Sequence, residues 1–337
     1  MTETSPTPAP GPRRRGPRLR GVIATLILIA LVYSGLWYLA AHQMETRLAT
    51  LLSSDRLGVG CRDMTVGGYP LRLTVACSMV TVDNRERGTS ASLGAIDARA
   101  PVYNPGRIDA TLSGPAEFRM APDLVASSRW TAADLSLRTG LSGISNATLS
   151  ATGLQGSITA SAGITPSLHF TLAEGASRVT RDGTVLTSAM QLKGLALLTP
   201  EDTAILPPFD ATLNASLTAQ EPIQLGRGSR LPLRGSQGQL DGLTVDFGNG
   251  LTGKASGPFN IDEEGLLSGE FDLSIDNVDG WRDAVIAAFP QTRSMARNVA
   301  GMLRALSGNR DQAHVKLNVR KGTAFLAFIP VGVLPRF

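Results

Sequence analysis

The stretch FDATLNASLTA, Phe209–Ala219, decides the fold class. Phe209, Ala211, Leu213, Ala215, Leu217 and Ala219 alternate with Asp210, Thr212, Asn214, Ser216 and Thr218. Side chains of an extended chain point to opposite sides in turn, so strict period two gives a strand with one apolar and one polar face. The same alternation returns at Leu168, Phe170, Leu172, at Phe271, Leu273, Ile275, and at Val315, Leu317, Val319. Turn signals separate these runs: Asn104-Pro105-Gly106, Asp182-Gly183, Asn249-Gly250, Glu263-Glu264-Gly265 and Lys321-Gly322. Short turns join antiparallel neighbours, whereas parallel strands need long crossovers. The expectation is a mainly β fold, a long antiparallel meander filling residues 57–337.

Outward from that strand, the faces differ in chemistry. The polar face is Ser, Thr, Asn and Gly, with charges gathered in turns. The apolar face is Leu, Val and Ala, and an apolar sheet face needs a cover. Three covers are open at this point: a second sheet, giving a sandwich; a helix; or acyl chains lying on an open, curved sheet. The candidate groove face is Phe209, Leu213, Leu217, Phe271, Leu273 and Ile275.

One segment changes period. Within residues 280–307, Met295, Val299, Met302, Leu303 and Leu306 fall on one helical stripe. Asp279 reads as the N-cap, Gly308 as the stop, and Pro290 as the point that divides the segment into two helices. Such an insertion covers only one end of so long a sheet.

Towards the N-terminus, Cys61 and Cys77 flank the turn Gly67-Gly68-Tyr69-Pro70. A hairpin folded about it brings the two cysteines near each other, and we expect a disulfide outside the cytoplasm. The register is contested: the simple pairing that sets the cysteines opposite leaves Met64 and Val66 on the wrong face. A one-residue bulge repairs the apolar face and shifts the cysteines.

Gly21–Ala41 is 21 residues without a charge, about 31 Å as a helix, the thickness of a bilayer core. Tyr33, Trp37 and Tyr38 lie near its far end, as interfacial aromatics do. Before it, residues 1–20 read as a disordered basic tail with Arg13, Arg14, Arg15, Arg18 and Arg20. The arginines hold that end in the cytoplasm and place everything after residue 41 outside it. The competing reading is a cleaved signal peptide ending near Leu39-Ala40-Ala41, but the apolar run is longer than a signal core. Met44, Leu48, Leu51 and Leu52 continue at helical spacing, so residues 42–56 read as a juxtamembrane helix.

The net charge of +4 belongs to that tail, since the rest of the chain has equal numbers of basic and acidic residues. The body lacks the basic footprint of a nucleic-acid binder. His42, His169 and His314 have no ligand spacing, so no metal and no cofactor are expected. Asp262-Glu263-Glu264 reads as a solvated turn, and His169 as a polar-face residue. No nucleophile elbow or phosphate loop occurs, so no catalytic residues and no enzyme are expected.

Three features in order carry a resemblance. They are Gly68-Tyr69-Pro70 leading into LRLTV, the strand pair GPFNIDEEGLLSGEFDLSIDNVDGW leading into a helix at Trp281, and the ending KGTAFLAFIPVGVLPRF. Behind the basic tail and single span, they resemble the bacterial envelope family called domain of unknown function 2125, over about residues 22–337. The resemblance implies a bacterial inner-membrane protein with its bulk in the periplasm and carries over no catalytic residue. The cysteine pair is a departure from it. More distantly the layout looks like AsmA-like envelope proteins, which implies a hydrophobic lipid groove. The functional expectation is therefore binding or shuttling of lipid or another amphiphile. The alternative is an envelope scaffold with a closed sandwich core and a protein partner.

Overall fold

The structure is a computed structural model that describes residues 17–52, 58–84, 88–120, 124–160, 167–219, 233–308, 310–326, 329–334 and 336. It opens with one long helix, α1 (Pro17–Leu52). Within it Val22–Gln43 is long and apolar enough to cross a membrane. The membrane-length run and the first part of the juxtamembrane segment are thus one unbroken helix. Arg13, Arg14 and Arg15 lie outside the described residues, as does the end of the segment after Leu52; Arg18 and Arg20 fall in the first turns of α1.

The strands follow in short pieces and then in long ones. The pieces are β1 (Val59–Arg62), β2 (Thr65–Gly67), β3 (Arg72–Cys77), β4 (Met79–Asn84), β5 (Thr89–Leu93), β6 (Ile96–Pro101), β7 (Arg107–Leu112), β8 (Ala116–Met120), β9 (Leu124–Arg129) and β10 (Ala132–Gly140). The long strands are β11 (Gly143–Ala160), β12 (Leu168–Asp182), β13 (Val185–Leu198), β14 (Phe209–Thr218), β15 (Ser236–Asp246), β16 (Thr252–Ile261) and β17 (Leu267–Ile275). Helices α2 (Val278–Ala288) and α3 (Arg293–Leu306) intervene, joined by a short turn of helix at Pro290–Thr292. The chain ends in β18 (Ala313–Arg320), β19 (Thr323–Leu326) and β20 (Ile329–Val333).

Pairing shows the pieces to be halves of long strands. β2 pairs with β3 and β1 with β4; β3 pairs with β6 and β4 with β5; the same doubling continues to β11, which pairs with β10 in one half and β9 in the other. Each long strand therefore pairs antiparallel with its sequence neighbours, an up-and-down meander in one open sheet. No second sheet faces it among the described residues, so the sandwich form of the expectation is not the one adopted.

The breaks line up as a crease across the strands. Gly153 stands opposite the unpaired Ala173, and Gly194 follows on the next strand. Gly153 has φ +61° and a Cβ there would lie 2.4 Å from the Thr131 hydroxyl, so only glycine fits. Bulges of this kind bend and twist a sheet.

The turn chemistry follows the sequence. Asn249 and Gly250, and Lys321 and Gly322, all have positive φ at hairpin tips. The helical insertion starts earlier than Asp279: Asn277 is the N-cap, and its side chain accepts from the Gly280 N–H at 2.9 Å. Asp279 sits in the first turn and pairs with Arg282 and Arg304, tying α2 to α3. Gly308, at φ +68°, ends α3 in the left-handed conformation favoured after a helix.

Candidate functional site

Following the register across the meander gives one uninterrupted cross-strand row. It runs Val315, Leu273, Ala255, Leu243, Leu213, Met190, Ser177, Leu149, Leu135, Ala110, Ala98, Val75, Val66. Ser177 is its one polar member. A parallel row runs Ala313, Ile275, Gly253, Val245, Ala211, Leu192, Gly175, Ala151, Ala133. Period two thus keeps the same face apolar from end to end of the sheet. In the middle no helix covers that face among the described residues: Leu213, Met190 and Leu243 are half-buried and Leu149 is 41% exposed.

Towards the C-terminal end the cover is helical. Val278, Ala300, Leu303, Ala313 and Leu326 form a buried cluster, with Ile275, Val299 and Val315 packed on it. A second cluster joins Phe271, Val319 and Ala324. Where the helices stop, a cleft of about 200 Å³ is lined by Leu243, Val245, Gly253, Leu273, Ile275 and Trp281. An apolar cavity of about 360 Å³ adjoins it under α2 and α3, sharing Ile275 and Trp281. Trp281 lies over Gly253, where a Cβ would come within 3.1 Å of the ring. Its ring meets Phe247 edge-on at 5.2 Å, and Phe247 meets Phe209 at 4.8 Å. The Trp281 indole N–H is buried without a partner.

Of the expected groove residues, all six share this one face. Leu273 and Ile275 line the cleft, Phe209 stands against Phe247, and Leu213 lies in the open middle. Leu217 and Phe271 are each 8% exposed, and Phe271 belongs to the core.

The charges are sorted by face. Arg99–Asp97, Arg107–Asp109, Arg119–Glu117, Lys193–Glu174 and Lys316–Glu270 all pair on the polar face. A hydrogen bond to Glu174, then its charge, raises the Lys193 pKa; Glu270 does the same for Lys316. Among the described strands the apolar face carries one charged side chain, Arg181. It is 9% exposed, and its Nε and Nη2 donate to the Ile144 carbonyl at 2.8 Å and the Ser142 hydroxyl at 3.0 Å. Sequence reading missed it, although alternation continued from Ser177 and Val179 reaches it.

At the N-terminal end the Cys61–Cys77 disulfide is formed, with Cα atoms 5.6 Å apart. The register resolves the conflict in favour of the apolar face: Val66 opposes Val75, Cys61 opposes Val80 and Cys77 opposes Ile96. The bond therefore runs diagonally across the crease. Gly68 turns the chain at φ +100°, and a Cβ there would lie 2.7 Å from the Arg72 carbonyl oxygen. The turn rests on α1: Trp37 meets the Tyr69 ring edge-on at 5.3 Å, Ser34 Oγ lies 2.6 Å from Tyr69 Oη, and the Tyr33 hydroxyl donates to the Pro70 carbonyl.

The arrangement nearest to a catalytic one is on the polar face. His169 Nδ1 lies 3.2 Å from Asp202 Oδ1, and His169 opposes Ser157 in register. Ser157 instead bonds Ser127, Oγ to Oγ at 2.9 Å, and the Asp202 side chain is 79% exposed. The Asp–His pair is thus not extended to a hydrogen-bonded nucleophile. Asp262 accepts from the Leu266 N–H at 2.8 Å as a turn residue. Among the described residues no group of three His, Cys, Asp or Glu could hold a metal ion.

Neither a curated protein nor a solved structure matches the sequence. Residues 37–335, from the helix contacts of Trp37 to the last strand, match a family described as an uncharacterized protein conserved in bacteria. The chain belongs to that family, domain of unknown function 2125.

Proposed function

We propose that this is a single-pass inner-membrane protein, with its N-terminus in the cytoplasm, whose periplasmic sheet binds or shuttles lipid or another amphiphile along its apolar face. The observation that carries the reading is the unbroken row from Val315 to Val66, half-buried in its middle. Apolar surface of that extent on one side of a sheet is costly in water and marks a binding surface. An acyl chain is the natural complement: linear, apolar and without hydrogen-bonding needs. The cleft and cavity at Trp281 give the row a deeper end. The protein acts as a carrier in this reading, not as an enzyme.

Native mass spectrometry of the detergent-extracted full chain, with lipid extraction in parallel, is the direct test. Co-purifying phospholipid or fatty acid that is lost in Leu213→Asp and Leu243→Asp is the expected result. Protein free of amphiphile, and unchanged by those substitutions, would count against the reading. A stoichiometric envelope protein on the same face would replace it by the scaffold alternative.

A further inference from the structure

The turns at one end of the sheet are not alike. In an up-and-down meander every second turn lies at the same end. Turns 68–71, 102–106, 141–142, 183–184, 262–266 and 321–322 share the end that α1 touches. The first three carry Tyr69 at 54% exposure, Leu71 at 64%, Tyr103 at 84% and Leu141 at 98%. The later ones carry Glu263, Glu264 and Lys321, and Asp182 ends the strand before turn 183–184. Exposed turn tips are ordinarily polar, because nothing there can cover an apolar side chain.

The position of α1 gives these tips a surrounding. Tyr33, Ser34 and Trp37, which touch Tyr69 and Pro70, lie inside the membrane-length run Val22–Gln43. Whatever medium bathes the helix at those residues also bathes the turn. Tyrosine and tryptophan suit the boundary of that medium, apolar in the ring and polar at the tip. Above the tips, Arg72 and Arg138 are exposed on the polar face, with Arg107 beside Asp109. A row of arginines one step above apolar tips matches anionic headgroups above acyl chains.

We propose that the first three turns at this end of the sheet are seated in the outer leaflet of the bilayer that α1 spans, with a phospholipid bilayer as the occupant around Tyr69, Leu71, Tyr103 and Leu141. The inference rests on reading α1 as an uncleaved anchor. It deepens the proposed function, because Val66 and Val75, where the apolar row begins, then stand at the lipid surface. The charged later turns stay in water, so the sheet rises obliquely from the bilayer.

The test places the photo-crosslinker p-benzoylphenylalanine at single positions of the full chain in vesicles of phosphatidylethanolamine and phosphatidylglycerol. Positions 103 and 141 are probed, with 264 and 321 as water-exposed controls, 31 as the membrane control and 243 as a separate probe of the groove. Lipid adducts at 103 and 141 severalfold above 264 and 321, and close to 31, are expected. Equal yields at all the turns, or labelling at 31 without labelling at 103 and 141, overturns the proposal. Adducts at 243 but not at 103 and 141 keep the groove and remove the seated turns; the opposite pattern does the reverse. Tyr103→Glu with Leu141→Glu, at unchanged circular dichroism, lowers labelling at position 71 severalfold if the tips share one lipid contact. An undiminished yield there counts against it.

Discussion

The two halves of the apolar face teach different things. Near the C-terminus, α2 and α3 lie on it and make a dry core: Val278 is 1% exposed, Ala313 is 0% and Leu303 is 5%. In the middle the same alternation, with the same residue types, leaves Leu213, Met190 and Leu243 half-buried. Period two fixes which side is apolar but does not fix what lies against it. The C-terminal half is covered by α2 and α3, and the middle has no such cover among the described residues.

The sharpest way to break this contrast is a matched pair of truncations. Leu303→Ala empties a closed core and is expected to cost about 2–5 kcal/mol, the usual range for a buried leucine. Leu213→Ala, on the open stretch, is expected to cost about 1 kcal/mol, since much of its surface is never withdrawn from water. Thermal unfolding by circular dichroism reads both. Equal losses at the two sites would mean that the middle is covered in solution, and the contrast would be gone.

The disulfide is the next effect in size. It closes a loop of about 15 residues, for which loop-closure entropy gives about 3 kcal/mol. Cys61→Ser with Cys77→Ser is expected to lower the melting temperature by several degrees, while the same change under reducing conditions has no further effect. The N-terminal strands are short pieces, β1 to β4, and α1 lies against β1 and β2. The disulfide is a covalent tie across the crease between these pieces. A double variant that melts with the parent protein would show the tie to be idle.

How much of this was legible beforehand follows from the same physics. Alternation at Phe209–Ala219 and the dipeptide turns are local signals, and they placed β14, its neighbours and the hairpins correctly. The change of period at 280–307 gave α2 and α3, divided at Pro290. The N-cap was misplaced by two residues: Asp279 and Asn277 both suit the role, and only backbone geometry separates them. The cysteine register was undecidable because the crease adds unpaired residues, and a bulge has no fixed residue signature. Openness of the sheet was beyond alternation, as a sandwich and an open sheet use the same strand pattern. Trp281 at the cleft meets Phe247 edge-on, a contact between distant positions that no local pattern shows, although Phe247 continues the alternation of Leu243 and Val245.

Arg181 sharpens the comparison from another side. It is the one charge on the apolar face of the described strands, yet its guanidinium is held by Ile144 and Ser142. Arg181→Met keeps the length and removes the donors to the Ile144 carbonyl and the Ser142 hydroxyl. The expected loss is about 1 kcal/mol, the deficit of the hydrogen bonds offset by a better match to the apolar surroundings. A stabilised variant would show the arginine to be kept for something other than folding.

The smallest effect belongs to the polar face. Lys193 and Glu174 stand 2.8 Å apart with both side chains about three-fifths exposed. Pairs so open to water gain little, because solvent screens the attraction and two long side chains must be held still. The hydrogen bond to Glu174 raises the Lys193 pKa, so any contribution is present below the ordinary lysine value of 10.5 and is lost as pH rises through the folded value. Lys193→Met is therefore expected to leave the melting temperature at pH 7 within the repeatability of the measurement, and to leave amphiphile retention unchanged. Leu213→Asp differs from it by facing the other way, and only that variant is expected to lose bound lipid. If both variants lost lipid alike, the division of the sheet into a solvated face and a binding face would fail at its simplest point.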